Sequence, residues 1–143
     1  MRKLSLLLIL PLMIACNQEN KPNKRAPFQQ HSSFKIHEVN KDNNEIVDSE
    51  EQSGCKNWIL SKEEITTVIN SSEEISKHDW HYLFDHLPCV ISGKLIQDNR
   101  EFNFEINAGS WLRISNQDTV LYFGSFREEN KKLFLSSVYA PED

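Results

Sequence analysis

The segment with the strongest structural signal is VISGKLIQDNREFNFEINAGSWLRIS, residues 90–115. Apolar and polar side chains alternate along it, as around Phe102 and Phe104, and this period of two is typical of a β-strand with one buried face. Turn-forming residues at 98–99 and 108–109 interrupt the alternation. Because parallel strands need long crossovers, these short connections predict consecutive antiparallel strands.

The alternation continues towards the C-terminus. Five strand-like runs follow one another, at residues 91–95, 102–106, 112–114, 120–124 and 133–135. In the fourth run, Val120, Tyr122 and Gly124 alternate with Leu121 and Phe123. Turn residues or charged residues separate the runs. The sequence therefore predicts a β-meander of roughly five strands.

Before the strands, the period changes to that of an α-helix. Ser61 and Glu64 match a capping box, in which each side chain bonds the backbone amide of the other residue. Ile65, Val68 and Ile69 follow at helical spacing. A first helix is therefore predicted directly after Ser61.

A second helix is predicted from a repeat of the capping signal at residues 71–74. Its apolar side chains recur at intervals of three and four and form one buried stripe: Trp80, Leu83, Phe84 and Leu87. Pro88 ends this helix, because proline disfavours a helical residue before it. Two N-terminal helices packed on an antiparallel sheet make an α+β fold.

The chain begins with the features of a secretory signal. Arg2-Lys3 precedes an apolar run, residues 4–15, which is shorter than the roughly 20 residues of a transmembrane helix. Met13-Ile14-Ala15-Cys16 resembles the lipobox of bacterial lipoproteins, with Met13 where that family usually has an aliphatic residue such as leucine. The resemblance implies that residues 1–15 are a cleaved signal peptide and that Cys16 is acylated and anchors the protein in a membrane. A retained transmembrane helix is the alternative.

The residue after Cys16 bears on which membrane anchors the protein. In lipoproteins of bacteria with two membranes, aspartate at this position often retains the protein at the inner membrane, and Asn17 stands here instead. The resemblance therefore implies an outer-membrane lipoprotein that faces either the periplasm or the exterior. In a bacterium with a single membrane this rule does not apply.

Residues 16–54 are predicted to be the lipidated cysteine and a flexible polar tether. They are rich in Asn, Gln, Lys, Glu and Ser, a composition that buries too little apolar surface to offset the entropy of ordering. Phe34, Ile36 and Val39 interrupt this composition; they form a short added strand, a recognition segment or a chance cluster. The folded domain is expected at residues 55–143.

The cysteines and the charge limit the classes of function. With Cys16 assigned to lipid, Cys55 and Cys89 are an even pair in an oxidising compartment, and we expect a disulfide. Removal of residues 1–15 leaves 14 Lys and Arg against 21 Asp and Glu, a net charge of −7. This charge argues against a nucleic-acid partner. A cationic protein partner is compatible with it, and so is simple solubility.

Two clusters of side chains are candidates for chemistry. His78, His81 and Asp85 fall on one face of the predicted second helix, where they could bind zinc, although this face, opposite the apolar stripe, is also where solvated residues belong. Glu101 and Glu105 share one face of a strand and could act as paired carboxylates, but the solvent side of an amphipathic strand has the same pattern. No nucleophile motif accompanies them. We therefore expect that the protein is not an enzyme and that it binds no cofactor.

The remaining signal is aromatic. Trp111 follows a turn and is out of phase with Leu112 and Ile114, so it should lie on the opposite face of the sheet, together with Arg113. If helices cover only one face, Trp111 and Arg113 are exposed on the other face and could bind a partner. Leu121 and Phe123 are further candidates for that face. If a helix or the Phe34 segment covers it, Trp111 belongs to a core.

These observations predict a membrane-anchored envelope lipoprotein whose small acidic domain binds another protein. In its small size, acidic charge, expected disulfide and expected location it resembles the periplasmic inhibitors of lysozyme and the immunity lipoproteins that block toxins. No motif is matched, so this resemblance carries little functional weight. An accessory structural subunit of an envelope complex is the first alternative. A hydrolase that depends on zinc or on carboxylates is the second.

Overall fold

The fold is seen in a computed structural model that describes residues 27–43 and 50–139. The predicted signal peptide, the lipobox and Cys16 lie outside the described residues. The strands are β1 Lys35–Asn43, β2 Glu73–Ile75, β3 Cys89–Gln97, β4 Arg100–Asn107, β5 Trp111–Ser115 and β6 Val120–Gly124. The helices are α1 Glu50–Asn57, α2 Lys62–Ser71, α3 Lys77–Tyr82 and a 3-10 helix at Glu128–Leu133.

The six strands form one antiparallel sheet in the order β1-β3-β4-β5-β6-β2. The predicted antiparallel sheet and the meander from β3 to β6 are confirmed. Asp98 and Asn99, which join β3 to β4, both have positive φ values, of 50° and 59°, as a two-residue hairpin turn requires. The predicted number of strands is wrong, because β1 and β2 are added at the two edges and one predicted strand is absent.

The absent strand is the run at residues 133–135. Its place beside β6 is taken by β2, which pairs with Tyr122, Phe123 and Gly124. The chain after β6 turns instead into the 3-10 helix, where Asn130 is buried and donates to the hydroxyls of Ser71 and Ser125. Phe134 then enters the core. The alternation at residues 133–135 does not produce a strand, because β2 already pairs with the edge of β6.

The helices agree only in part with the prediction. The capping box of Ser61 and Glu64 at the start of α2 is confirmed. The capping signal at residues 71–74 does not start a second helix, because the hydroxyls of Ser71 and Ser72 donate back to carbonyls of α2, and α2 ends there. Residues 73–75 become β2, and α3 starts only after Ser76, which caps it. The layout of two N-terminal helices is therefore wrong.

The folded part of the chain begins earlier than residue 55. Phe28 is buried against Phe34 and Phe102, with ring centroids 5.6 and 5.7 Å apart. The amide of buried Gln97 exchanges two hydrogen bonds of 2.8 Å with the backbone of Gln29, as a neighbouring strand would. β1 pairs with β3 along its length. These parts of the predicted tether, residues 28–43, belong to the domain, and the patch at Phe34 includes an added strand.

The main core lies between one face of the sheet and α2. Opposed residues of neighbouring strands share a face, and the register places eight side chains that are no more than 2 % exposed on this face: Ile91, Leu95, Phe102, Phe104, Ile106, Leu112, Ile114 and Phe123. Ile65, Val68 and Ile69 of α2 pack against them. Leu121, opposite Ile114, also packs against this core. Leu121 and Phe123 are therefore not on the second face.

A disulfide ties α1 to the beginning of β3. It joins Cys55 to Cys89, whose Cα atoms are 5.1 Å apart, and confirms the predicted pairing. Asn43 at the end of β1 pairs with Cys89 in the sheet, so the bond connects α1 to the two strands at one edge. Among the described residues, the longest helices fall well short of the length and apolarity needed to cross a membrane.

Candidate functional site

The second face of the sheet carries charged and polar side chains, and we call it the open face. Residues that the register places on it include Lys94, Glu101, Asn103, Glu105, Arg113, Ser115 and Val120. Glu105 forms an ion pair with Arg113, directly opposite on β5, and both side chains are more than a third exposed. Lys94 contacts Glu101 at 3.1 Å, and this carboxylate raises the pKa of the Lys94 ammonium. Recognition through ion pairs and hydrogen bonds is the chemistry this face can supply.

One end of this face is covered by an aromatic cluster, the aromatic cap, formed by Trp80, His86, Trp111 and Tyr122. Trp80 comes from α3 and lies edge-to-face against Trp111, with ring centroids 5.3 Å apart. It also contacts Tyr122 at 4.8 Å and His86 at 4.6 Å. Such aromatic pairs are worth about 0.5–1.5 kcal/mol beyond their buried area. The cap therefore holds α3 and His86 of the 83–88 loop against the sheet.

Trp111 is on the face of the sheet that the sequence predicts, but it is not exposed. Trp111 and Leu112 are on opposite sides of β5, so Trp111 is on the open face. There α3 covers it, and only 7 % of its surface is accessible. Its indole N–H donates to the carbonyl of Asp85 at 3.0 Å. The indole nitrogen of Trp80 is also buried, but it has no hydrogen-bond partner among the residues that the structure describes. Of the two tryptophans, Trp111 is the one anchored by hydrogen bonding.

The cap rests on the 83–88 loop, which is held by the side chain of Asn107. This side chain is 3 % exposed. Its amide donates to the Leu87 carbonyl at 2.7 Å, and its oxygen accepts from the backbone amides of Leu87 at 3.2 Å and Gly109 at 2.9 Å. Phe84 is buried against Gly124, where a Cβ would lie 2.4 Å from the Phe84 ring. Residues 83–88 are therefore fixed as a loop rather than as the predicted helix.

Asp85 connects this loop to the end of the chain. Its carboxylate accepts hydrogen bonds from the hydroxyls of Ser136 and Tyr139, and its carbonyl accepts from Trp111. The Ser136 and Tyr139 hydroxyls hold the pKa of the Asp85 carboxyl below its ordinary value of 3.8. The same contact raises the pKa of the Tyr139 phenol. Asp85 thus acts as a structural connector between the loop and residues 136–139.

The candidate metal residues are not brought together as predicted. α3 ends at Tyr82, so Asp85 does not share a helix face with His78 and His81, and it is bonded to Ser136 and Tyr139 instead. Across residues 27–43 and 50–139, no group of three His, Cys, Asp or Glu side chains could hold a metal ion. The His78 ring packs on Tyr82, with centroids 4.6 Å apart.

The paired carboxylates Glu101 and Glu105 do share a face, as predicted. Each contacts a cation, Glu101 with Lys94 and Glu105 with Arg113. They belong to the charged pattern of the open face.

Sequence reasoning missed most of the aromatic cap. The periodicity of the sequence places Trp80 in a buried helical stripe, and it does not mark Tyr122 as a site residue. The useful signal was the alternation in β6, because Tyr122 opposes Arg113 and therefore shares its face. His81 lies at the rim of the cap, where its ring is 6.1 Å from that of His86, and Tyr82, which is 64 % exposed, packs on His81. Comparison with known proteins adds no relative, since no protein-family model, curated protein or solved structure matches this chain.

Proposed function

We propose that this protein is a lipid-anchored envelope protein whose domain binds a protein partner through the open face and the exposed rim of the aromatic cap. Arg113, with its partner Glu105, is at the centre of the proposed binding surface, and Tyr82 and His81 are at its edge. Trp111 contributes from within the cap, because it packs against Trp80, which in turn contacts Tyr122.

The observation that carries this proposal is the position of the Glu105–Arg113 pair beside the cap. Arg113 on β5 is directly beside Tyr122 on β6, and Trp80 packs on Tyr122. Arg, Tyr and Trp are the residue types that dominate binding energy at protein interfaces. Arg113 and Tyr122 lie on paired strands of the sheet, and Trp80 packs on Tyr122, so the backbone that carries them is already ordered before a partner binds.

The charge of the chain indicates the chemistry of the partner. The net charge of −7 expected after removal of residues 1–15 attracts a cationic protein and accelerates its association. It disfavours nucleic acid, whose phosphates require a basic surface. A cationic hydrolase or toxin that the protein inhibits is therefore the partner class we favour, in keeping with its resemblance in build to lysozyme inhibitors and immunity lipoproteins.

The anchor belongs to the same proposal. Cys16, in a segment that resembles a lipobox, would attach the protein to the membrane, and Asn17 favours the outer membrane, with the domain facing the periplasm or the exterior. Two or more acyl chains are needed for stable attachment, since a single chain binds only marginally. Such an anchor would keep the binding domain where a toxin or hydrolase must pass.

The character of the open face favours this function over a permanent structural subunit. Ile96 and Val120 are exposed on that face, but they are separated by the charged pairs. Permanent interfaces are larger and more hydrophobic than transient ones. A surface of ion pairs with a tyrosine rim is typical of a complex that forms and dissociates.

Site-specific photocrosslinking in growing cells tests the proposal. The full chain is produced with p-benzoylphenylalanine in place of Tyr82, at the rim of the cap. The matched control has the same group in place of Ile59, which is 72 % exposed but follows Trp58 on the helical side of the sheet. We expect one crosslinked protein of high isoelectric point from position 82 and not from position 59.

Two results would contradict the proposal. The first is the absence of any crosslink from position 82 above the level of position 59 in cells challenged with envelope-targeting toxins and hydrolases. The second is an equal yield of the same crosslinked partner from both positions, which would mean that the open face does not select it.

A further inference from the structure

A pocket of about 330 Å³ is lined by residues that follow α3 and β6, by the turn before β5 and by residues 137–139. The residues that matter for its chemistry are Leu83, Ser125, Phe126, Lys131, Val138 and Tyr139. Its lining is largely apolar, and its volume is at the lower end of the range of small-molecule sites, roughly 300–1,000 Å³.

One wall of the pocket is built by residues 134–139, which we call the C-terminal strap. The strap is fixed at both ends: the amides of Leu135 and Ser136 donate to the Ala108 carbonyl at 2.9 and 3.2 Å, and the Tyr139 amide donates to the Leu83 carbonyl at 2.9 Å. The hydrogen bonds to Asp85 add a third attachment. This wall is therefore held in place before any ligand binds.

Two polar side chains that line the pocket, Ser125 and Lys131, can donate to a ligand. Ser125 is 5 % exposed, and its hydroxyl accepts from Asn130 at 3.2 Å; within the described part of the chain it donates to no acceptor. Lys131 lines the pocket and contacts Glu128 at 2.6 Å. Both side chains of that pair are at least half exposed, and exposed pairs are worth only about 0–1 kcal/mol. The Lys131 ammonium can therefore turn to a bound anion at little cost.

We propose that this pocket binds a small amphipathic carboxylate. The apolar body of the ligand packs against Leu83, Phe126 and Val138, while its carboxylate accepts a hydrogen bond from the Ser125 hydroxyl and pairs with Lys131. Burial of the apolar body provides most of the affinity, and the charge-assisted contacts select an anion.

A peptide is a poorer occupant than a small molecule. Peptides that bind to sheets usually add a strand to a free edge. Next to this pocket, β6 is paired on one side with β5 and on the other with β2, so it offers no edge. The inference does not rest on the open face, and the two sites can be tested separately.

The test uses 4-phenylbutyrate as the probe, with 4-phenylbutanol as its uncharged counterpart. Each is titrated into the full chain held in lipid nanodiscs, with empty nanodiscs as the reference, while the methyl signals of Leu83, Val138 and Ile59 are followed by NMR. We expect the Leu83 and Val138 signals to shift saturably with the carboxylate, and the Ile59 signal to remain unchanged.

Two surface lysines provide the matched variants. Lys131→Met keeps the apolar stem and removes the charge, and it should weaken phenylbutyrate binding by up to about fivefold, because an ion pair of a half-exposed ammonium is worth at most about 1 kcal/mol. Lys132→Met changes the neighbouring lysine, which does not line this pocket, and should leave the affinity unchanged. Phenylbutanol should bind the unaltered protein about tenfold more weakly than phenylbutyrate.

The proposal is overturned if neither methyl signal shifts saturably with phenylbutyrate. It is also overturned if the alcohol binds as tightly as the acid, or if the two lysine variants bind the acid equally well. Neither result depends on whether a protein partner binds the open face.

Discussion

The backbone of Gly109 passes so close to Asp85 that a Cβ at residue 109 would lie 1.9 Å from the Asp85 carbonyl oxygen. The same oxygen accepts the indole N–H of Trp111. This close approach brings the 83–88 loop onto the turn between β4 and β5, and the aromatic cap is built on that contact.

Gly109→Ala should therefore destabilise the protein by about 2–4 kcal/mol, because backbone must move to admit the methyl group. The matched control is Gly54→Ala in α1, where a Cβ would meet Leu135 at an ordinary 3.4 Å and helix propensity improves by about 1 kcal/mol. Urea denaturation of both variants measures the difference. Equal stability of the two variants would contradict the close contact.

Asp85→Asn should lower stability at neutral pH by about 1–2 kcal/mol, because the variant loses charge-assisted hydrogen bonds. The pKa of the Asp85 carboxyl is lowered in the folded state, first by Ser136 and then by Tyr139. Its contribution is therefore complete above the unfolded value, and it is lost as the pH falls through the lower folded value. The difference between the unaltered protein and the variant should be constant from about pH 5 to 8 and shrink below about pH 4.

Thermal unfolding of the two proteins across this pH range provides the measurement. Asp118→Asn, at an exposed turn residue, is the control for the loss of a carboxylate that is not bonded to Ser136 or Tyr139. A gap between Asp85→Asn and the unaltered protein that persists unchanged at pH 3 would rule out the carboxylate as its source.

The two tryptophans of the cap should respond differently to replacement by phenylalanine. Trp111→Phe leaves the Asp85 carbonyl without its indole donor and should cost about 1–3 kcal/mol beyond the lost packing. Trp80→Phe removes an indole nitrogen that has no partner within the described residues, so relief of its desolvation offsets part of the lost area. Denaturation of both variants decides the order, and a greater loss for Trp80→Phe would contradict the hydrogen-bond assignment.

Removal of the disulfide should cost about 3–4 kcal/mol for a closed loop of this size. The bond spans a sequence separation of 34 residues between Cys55 and Cys89. Unfolding of the Cys55→Ser, Cys89→Ser double variant, compared with the unaltered protein with and without reductant, measures this loss. Reductant should destabilise only the unaltered protein, and insensitivity to reductant there would show that the bond does not form.

The parts of the fold that could be predicted depend on short-range chemistry. The alternation of Phe102, Phe104 and Ile106 identified β4 because one strand faces one core. The capping box of Ser61 and Glu64 marked the start of α2 because its hydrogen bonds lie within four residues. The pairing of Cys55 with Cys89 followed from their number and the expected compartment.

The rest depended on contacts that are distant in sequence. Whether β6 had a free edge was decided by residues 73–75, almost fifty positions earlier, and local alternation at residues 133–135 carried no information about it. Burial of Phe28 depended on a partner at Phe102. Trp111 was assigned to the correct face, but its cover, Trp80, comes from a helix shorter than periodicity predicted.

The central claim is that the open face binds a cationic protein. Exchanging the two charges of the central pair, with Glu105→Arg and Arg113→Glu together, preserves an ion pair between opposed strand residues and reverses its polarity. The matched exchange, Arg127→Glu with Glu129→Arg, alters an exposed pair, 3.6 Å apart, that is not on this face. Both proteins should have the melting temperature of the unaltered chain.

The most direct measurement is the recovery of the crosslinked partner from cell envelopes with these two full-length variants. The account predicts that the exchange at residues 105 and 113 lowers recovery about tenfold or more, because misplaced charges at an interface cost several kcal/mol, while the exchange at residues 127 and 129 leaves it unchanged. Equal recovery with both variants would contradict the claim that the open face is the binding surface.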